Sequence, residues 1–166
     1  MLNNLHEYII GTPPVNFVDK PGTEPYKLYN DYSHKHRKIA DLGTLQGLSA
    51  LALSSNPQAQ VLSYDIDLSK NLVKKDNIKF IAGNCFDHLD DILSCDLILI
   101  DIDPHDGEQE FRMLVDLVAN NYKGTTLWDD IHLNSEMQQF WDSVEMTKQD
   151  LTTEGHHSGT GLIVFS

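Results

Sequence analysis

The sequence predicts an α/β fold in which a parallel sheet is covered by helices on both faces. From Ile39 onward, short apolar runs alternate with longer amphipathic stretches, the pattern of strand, helix, strand. Five such units follow one another, and parallel neighbours need a crossover between them. The chain ends in two further apolar runs separated only by a loop, which predicts an antiparallel hairpin.

The elements can be placed along the chain from this pattern. The predicted parallel strands are residues 39–42, 61–64, 78–82, 97–101 and 125–128, and the hairpin strands are 144–151 and 161–166. The predicted helices are residues 48–55, 68–75, 84–93 and 106–121, followed by a fifth helix that starts at Ser135.

The two longest helices have recognisable starts and apolar faces. In the segment 106–121 the apolar face is formed by Phe111, Leu114, Val115 and Val118, and in the next helix by Met137, Phe140 and Trp141. Asp106 is expected to cap the first of these helices, with Gln109 three residues on. Ser135 and Gln138 stand in the same relation at the second. We therefore expect both apolar faces to pack on the sheet.

Residues 1–37 differ from the rest in being rich in Pro, Tyr, Asn and His. Prolines interrupt regular structure, so we predict an irregular N-terminal arm with one short helix near residues 26–32. The remaining residues, 38–166, form the main domain. A sheet with open strand ends needs a cover that excludes water, and we expect the arm to act as a lid, with Glu24 and Tyr26 nearest the ligand.

Composition excludes several classes of protein. Twelve Lys and Arg against 25 Asp and Glu give a net charge of -13, so nucleic acid and anionic lipid are not expected partners. The most apolar run, residues 97–100, is far shorter than the roughly 20 residues of a membrane span. No secretory signal is visible, and Cys85 and Cys95 are too few for a disulfide framework. We expect a cytoplasmic protein, and the sequence leaves a homodimer open.

Acidic residues and glycines follow the predicted strands, where a parallel sheet binds its ligands. Gly43 and Gly47 come after the first strand, and Asp65 comes after the second. An acid about 20 residues beyond the glycines is placed to hold ribose hydroxyls. The segments after the other strands carry Gly83, Asn84, Cys85, Phe86 and Asp87, then Asp101, Asp103, His105 and Asp106, then Asp129, Asp130 and His132.

The glycine pattern limits the kinds of ligand that this site can bind. The chain reads Asp-x-Gly-x-x-x-Gly at residues 41–47, without the middle glycine that admits a pyrophosphate, and it has no phosphate-binding Gly-Lys-Ser or Gly-Lys-Thr. The carboxylate of Asp41 would repel phosphate and attract an ammonium or sulfonium. We therefore expect a ligand with a ribose and a positive charge.

Three carboxylates follow the fourth and fifth strands: Asp101, Asp129 and Asp130. Carboxylates that converge repel one another unless they are protonated, hydrogen-bonded or bridged by a cation. An all-oxygen set suits magnesium, calcium or manganese, and His132 nearby would widen the choice towards manganese or iron. The alternative is that Asp129 or Asp130 caps the following turn and no metal binds.

The chain resembles the class I S-adenosylmethionine-dependent methyltransferases from Pro21 onward. Residues 41–50 resemble their first motif, 61–67 the second and 98–101 the fourth. A narrower resemblance, to the small O-methyltransferases that include catechol O-methyltransferase and the cephalosporin hydroxylase-type enzymes, rests on residues 24–28, 128–132 and 158–162. It implies a Rossmann-like doubly wound sheet with strand order 3-2-1-4-5-7-6, the seventh strand antiparallel.

The resemblance also implies a role for each candidate residue. Gly43 and Gly47 would line the methionine half of S-adenosylmethionine, Ser49 would hold its carboxylate, and Asp65 would take the ribose hydroxyls. Asn84, Cys85 and Phe86 would border the adenine. Asp101 would lie beneath the methionine moiety, and with Asp129 and Asp130 it would bind magnesium.

The chain departs from catechol O-methyltransferase at two positions of the site. Asp130 stands where those enzymes have asparagine, and Pro104 and His105 occupy the stretch that carries their lysine base. His105 or His132 is therefore the candidate base, because a neutral imidazole can take a proton near pH 7.

The expected activity is methyl transfer from S-adenosylmethionine to an oxygen of a small molecule, assisted by a divalent cation. One alternative is a module that binds S-adenosylmethionine or another nucleoside without catalysis. A phosphoryl-acceptor receiver domain is excluded, because it needs its acid pair after the first strand and a lysine after the fifth.

Overall fold

The chain folds around one seven-stranded sheet. A computed structural model describes residues 2–166 and gives the strand order β3-β2-β1-β4-β5-β7-β6, in which β1 to β5 are parallel and β7 runs antiparallel to β5 and β6. The strands are β1 Lys38–Leu42, β2 Gln60–Asp65, β3 Ile78–Ala82, β4 Leu97–Ile100, β5 Gly124–Asp129, β6 Lys148–Asp150 and β7 Thr160–Phe165. The predicted fold class, strand order and direction of the last strand are confirmed.

Five α-helices and three 3₁₀ turns surround the sheet. The helices are α1 Tyr26–Ser33, α2 Leu48–Leu53, α3 Leu89–Leu93, α4 Glu108–Ala119 and α5 Ser135–Ser143, and the 3₁₀ turns are Leu2–Tyr8, Leu68–Lys70 and Cys85–His88. None of the helices described between residues 2 and 166 has the length and apolar character that crossing a membrane requires.

The core has one layer on each side of the sheet, because successive strand residues point to opposite faces. Ala40 and Leu42 of β1 belong to the layer that α3, α4 and α5 cover, whereas Ile39 belongs to the layer under α2. The strands of the sheet's centre are therefore buried on both faces, as their continuous apolar runs predict.

The N-terminal arm contributes to the core beneath α2. Its buried side chains in this layer of the core are Leu2, Leu5, Ile9, Phe17 and Tyr29. The predicted short helix is present as α1, but the 3₁₀ turn at Leu2–Tyr8 has no counterpart in the sequence prediction. The arm is packed on the domain through apolar contacts.

The helix predicted over residues 68–75 is largely absent. Only Leu68–Lys70 forms a 3₁₀ turn, and the backbone then runs extended to pair with the arm. The amide of Ile10 donates to the carbonyl of Leu72 at 2.7 Å, and the amide of Lys74 donates to that of Tyr8 at 2.9 Å. These long-range hydrogen bonds replace the local ones that a helix would have made.

Helix α4 is rotated relative to the prediction. Phe111, Val115 and Val118 are each about half exposed, and only Leu114 of the predicted face is buried. The face that meets the core consists of Glu110, Met113, Leu114 and Leu117. The predicted face was wrong because α4 carries apolar residues on two sides, and their spacing alone does not tell which side meets the core. The face predicted for α5, Met137, Phe140 and Trp141, is buried and therefore confirmed.

The caps of these two helices also differ by small shifts. The side chain of Asn134, not Ser135, caps α5 by accepting from the amide of Met137 at 2.8 Å. Asp106 accepts from the amide of Glu108 at 3.0 Å, and Gly107 in left-handed conformation begins α4.

The turn after β1 runs directly against the end of β4. Gly43 has a φ of +90°, and a Cβ placed there would lie 1.8 Å from the carbonyl oxygen of Asp101. No side chain fits in that gap, so glycine is required by both the backbone conformation and the close approach.

The rotation of α4 predicts losses of stability of very different size at two adjacent residues. We expect Leu117→Ala to lower the free energy of unfolding by about 2–4 kcal/mol, because Leu117 is fully buried. Val118→Ala should lower it by less than about 1 kcal/mol, because half of Val118 is exposed. Urea denaturation of the two variants measures both values, and a larger loss at Val118 would contradict the observed rotation.

The close approach of Gly43 to the Asp101 carbonyl predicts that Gly43→Ala destabilises the protein more than the same substitution at an exposed glycine with a similar φ. Gly11 has a φ of +87°, and a Cβ placed there would have no atom within 4 Å. Gly11→Ala should therefore cost only the conformational term of about 1–2 kcal/mol. Gly43→Ala carries that cost and must also displace the end of β4. Urea denaturation measures the free energy of unfolding of both variants. Equal losses would show that the backbone near Asp101 moves aside for a Cβ at position 43 at no cost.

Candidate ligand-binding and catalytic site

Two neighbouring cavities open at the carboxyl ends of the parallel strands. The first, of about 490 Å³, lies beyond β1, β2 and β3 and reaches the start of α4. The second, of about 200 Å³, lies between the turn after β1, the arm and the acids after β4 and β5. Gly43, Leu45 and Asp101 line both cavities, so a single elongated ligand could occupy the two.

Asp65 stands at the rim of the first cavity with its carboxylate fixed by the backbone. Oδ2 accepts from the amide of Leu45 at 2.7 Å, and Oδ1 accepts from the amide of Asp67 at 2.9 Å. Each oxygen of a carboxylate has two acceptor sites, so both retain capacity for a further donor. The residue is therefore held in position to receive two hydroxyl groups.

The far wall of the first cavity is formed by Asn84, Cys85 and Phe86. Asn84 accepts from the amide of Phe86 at 3.1 Å, which shapes the turn after β3, and the Arg112 guanidinium lies 3.9 Å from the centre of the Phe86 ring. Burial raises the pKa of the Cys85 thiol to about 11. Cys85 is therefore a neutral apolar wall at physiological pH.

Three residues predicted to bind the cofactor differ in whether they reach a cavity. Ser49 lines the second cavity, whereas neither Asp41 nor Gly47 is among the residues that line the two cavities. Asp41 is fully buried, where it accepts from Ser63 at 2.7 Å and burial raises its pKa. Gly47 is required by packing, because a Cβ there would lie 2.4 Å from Oδ1 of Asn71. Both residues support the turn from behind.

The carboxylates after β4 and β5 converge as predicted, but with two histidines among them. Asp101, His105 and Asp130 form one group of possible metal ligands, and Asp129, Asp130 and His156 form another, each with its ligand atoms within 4.8 Å of one another. Asp130 is common to both. The predicted set of Asp101, Asp129 and Asp130 is thus divided into two overlapping groups.

His156 belongs to this cluster and was missed by the sequence analysis. Its Nδ1 lies 3.2 Å from Asp130 Oδ1, 3.5 Å from Asp129 Oδ1 and 2.7 Å from Ser158 Oγ. Burial opposes its charge, but hydrogen bonds to the two aspartates outweigh burial and raise the pKa of His156 to about 10. A signal existed in the sequence, since the loop leading into a strand that pairs with β5 must end beside Asp129.

Charge repulsion at this cluster is only partly relieved. Burial and the neighbouring Asp129 and Asp130 raise the pKa of Asp101 well above its ordinary value. Burial also acts on Asp130, but hydrogen bonds from His156 and Ser158 lower its pKa overall. Asp101 is therefore the member that would gain most from a nearby positive charge.

The two predicted catalytic histidines lie in different surroundings. His105 lines the first cavity, and its Nε2 is 3.6 Å from Asp101 Oδ1 and 3.6 Å from Asp130 Oδ2. His132 is not among the lining residues, and its ring nitrogens contact Gln138 at 2.6 Å and Asp150 at 2.7 Å. Because both nitrogens of His132 are engaged outside the cavities, its placement argues against a role as base or metal ligand.

Backbone strain is concentrated at the two cavities. Four non-glycine residues among residues 2–166 have a positive φ, namely Leu45, His105, Asn121 and Asp130, and all but Asn121 line a cavity. Such conformations cost on the order of 1 kcal/mol or more each and persist where the surrounding structure imposes them. Their position supports this edge of the sheet as the functional site.

Solved structures of other proteins share this fold at low sequence identity. A Staphylococcus aureus protein assigned provisionally as a caffeoyl-CoA O-methyltransferase is 12% identical, with a TM-score of 0.64 over 99% of this chain and 90% of that one. The methyltransferase PaMTH1 of Podospora anserina, bound to S-adenosylhomocysteine, is 15% identical with a TM-score of 0.62, over 85% and 77% of the two chains. A complex of cmcI with magnesium and S-adenosylmethionine is 14% identical with a TM-score of 0.55, over 86% and 71%.

No protein-family model and no curated protein sequence matches the chain. At the identities found, the structural likeness shows a shared Rossmann-like fold. The chemistry must therefore be argued from the residues of the site.

Proposed function

We propose that this protein transfers a methyl group from S-adenosylmethionine to an oxygen of a small molecule. The observation that carries the proposal is the pair of neighbouring cavities, with Asp65 fixed at the rim of one and an acidic cluster in the other. A nucleoside with a positive charge at its far end matches both. Structures of this fold bound to S-adenosylhomocysteine or S-adenosylmethionine support the choice of cofactor.

The adenosine half would occupy the first cavity. Asp65 would accept the two ribose hydroxyls, and Asn84, Cys85 and Phe86 would enclose the base. The methionine half would pass Gly43, whose lack of a side chain leaves the backbone accessible, and reach Ser49 in the second cavity. Asp41 and Gly47 would act only through the shape of the turn.

The second cavity would receive the sulfonium and the methyl acceptor. Glu24, Asp101, Asp129 and Asp130 are among its lining residues, and no lysine or arginine of residues 2–166 is. Such a surface attracts a cationic sulfonium and disfavours an anionic acceptor. At about 200 Å³ the cavity is suited to a small acceptor.

A divalent cation fits the donor set of the acidic cluster. Asp101, Asp129 and Asp130 would offer hard carboxylate oxygens, which suit magnesium or manganese, while Nε2 of His105 stays free to accept a proton. Such an ion would lower the pKa of the acceptor hydroxyl and fix its direction. The complex of cmcI with magnesium supports this assignment.

The chain's own residues would supply positioning and proton transfer. Holding acceptor and sulfonium in line can contribute roughly 7–11 kcal/mol to catalysis. His105 would accept the hydroxyl proton on Nε2 as the acceptor oxygen takes the methyl group, and it would later release that proton to water. The products are the methylated acceptor and S-adenosylhomocysteine.

The arm, residues 1–37, would act as the lid. Glu24, Tyr26 and Tyr29 line the second cavity, so the arm already covers the position proposed for methyl transfer.

A cytoplasmic location is part of the proposal, since Cys85 and Cys95 are unpaired, as expected in a reducing compartment.

Substituting Asp65 tests the cofactor site. We expect Asp65→Ala to weaken S-adenosylhomocysteine binding by about tenfold to a hundredfold, because two hydrogen bonds to a charged acceptor are lost. Asp76→Ala, at an exposed acid outside both cavities, is the control. Isothermal titration calorimetry measures both, and equal affinity in the two variants would remove Asp65 from the site.

Chelation tests the metal and separates catalysis from binding. With EDTA, conversion of S-adenosylmethionine to S-adenosylhomocysteine in the presence of an acceptor library should stop, while binding of S-adenosylhomocysteine stays nearly intact. Asp129→Asn should lose turnover and keep binding in the same way. Full turnover in EDTA would reduce the acidic cluster to an attraction for the sulfonium. Binding without turnover under any condition would favour the alternative of a non-catalytic binding module.

A further inference from the structure

Glu110 on α4 is buried without a partner. Its side chain is 2% exposed, and neither carboxylate oxygen has a hydrogen bond within the described residues. Leaving a carboxylate in this state is costly, and native structures seldom do so without a reason. The backbone amides of Gly107 and Glu110 lie near the carboxylate, and the side-chain group in reach is Nδ1 of His105, 3.8 Å from Oε1.

Apolar burial of α4 does not require a carboxylate at position 110. Met113, Leu114 and Leu117 fill the inner face of the helix, and Glu110 lies on that same face one turn earlier. A buried carboxylate at this position departs from the rule that the inner face of a helix is apolar. Violations of this kind are expected at functional sites, where position outweighs stability.

His105 is the complement of Glu110. Its Nδ1 is buried and has no hydrogen-bond partner among residues 2–166. Nε2 lies 3.3 Å from the exposed carboxylate of Asp103 and 3.6 Å from Asp101 and Asp130. A shift of less than about 1 Å would bring Nδ1 and Oε1 to hydrogen-bonding distance. Hydrogen bonds of catalytic groups are often long before the ligand binds.

The backbone around this pair is held independently. Asn134 donates to the carbonyl oxygen of His105 at 2.9 Å while it also caps α5. Gly107, which begins α4, would place a Cβ 3.0 Å from the carbonyl oxygen of Glu136, so α4 and α5 pack closely there. With the backbone fixed, the state of the His105 ring is decided by what faces its nitrogens.

We propose that Glu110 is the positioning residue of His105. Its carboxylate accepts a hydrogen bond from Nδ1–H and thereby keeps Nε2 unprotonated on the side of the cavity, where it can take the proton of the acceptor. The hydrogen bond at one ring nitrogen sets the tautomer and so the role of the other. The catalytic consequence rests on the proposed function, in which Nε2 takes the proton of the acceptor hydroxyl, but the ring state does not.

The first test observes the His105 ring without turnover. In protein labelled with ¹⁵N-histidine, at a pH where the ring is neutral, we expect the His105 signals to be those of the Nδ1–H tautomer, with His105→Gln identifying them. Glu110→Leu should shift the ring toward Nε2–H, and Glu110→Gln, which keeps an acceptor oxygen, should partly retain the wild-type state. Glu108→Gln, in the same turn of α4 and exposed, should change nothing.

The second test compares stability with activity. Removing an unpartnered buried carboxylate should make Glu110→Leu at least as stable as the wild type, whereas kcat should fall by about 10- to 100-fold with little change in the KM for S-adenosylmethionine. Glu110→Gln should recover part of the loss. A purely structural role predicts the reverse, a less stable protein with unchanged kcat.

The outcomes separate the inference from the proposed function. If the wild type makes no S-adenosylhomocysteine but the ring responds as expected, the pairing stands and methyl transfer fails. An Nε2–H tautomer in the wild type, or a ring unchanged in Glu110→Leu, overturns the inference whatever the activity.

Discussion

The site depends on carboxylates that the parallel sheet brings together at one edge. β4 and β5 pair in register from Leu97 and Thr125 to Ile100 and Trp128, so the next residues, Asp101 and Asp129, must emerge side by side. Their repulsion requires hydrogen bonds or positive charge around them. Ser158, His156 and His105 supply part of this, and they lie at the edge because β7 and the start of α4 converge on the same strand ends.

Several features at this edge of the sheet lower the stability of the folded protein. Positive φ angles at Leu45, His105 and Asp130 and the buried carboxylate of Glu110 each lower stability. They are compatible with a stable domain because the sheet is packed on both faces, from Ala40 and Leu42 on one side to Ile39 on the other. A core that is insensitive to what happens beyond the strand ends can keep unfavourable side chains where a ligand needs them.

The arm links the core to the cavities. Its apolar residues, such as Leu5 and Phe17, pack beneath α2, while Glu24 and Tyr26 line the second cavity. Its backbone also pairs with residues 72–74 and so takes the hydrogen bonds that a helix would have used. The wall of the second cavity is therefore anchored by the same contacts that complete one layer of the core.

The sequence by itself determined the fold class, the strands and the acids at their ends, because periodicity and strand-end chemistry are local along the chain. Asp65 and Asp101 could be located in this way, since each directly follows an apolar strand. Only the tertiary structure decided the orientation of α4, the position of His132 outside the two cavities and the position of His156 beside Asp129 and Asp130. Those features depend on which elements meet in space: the register of β7 against β5, and the packing of α4 against α5 at Gly107, which no pattern within a single segment records.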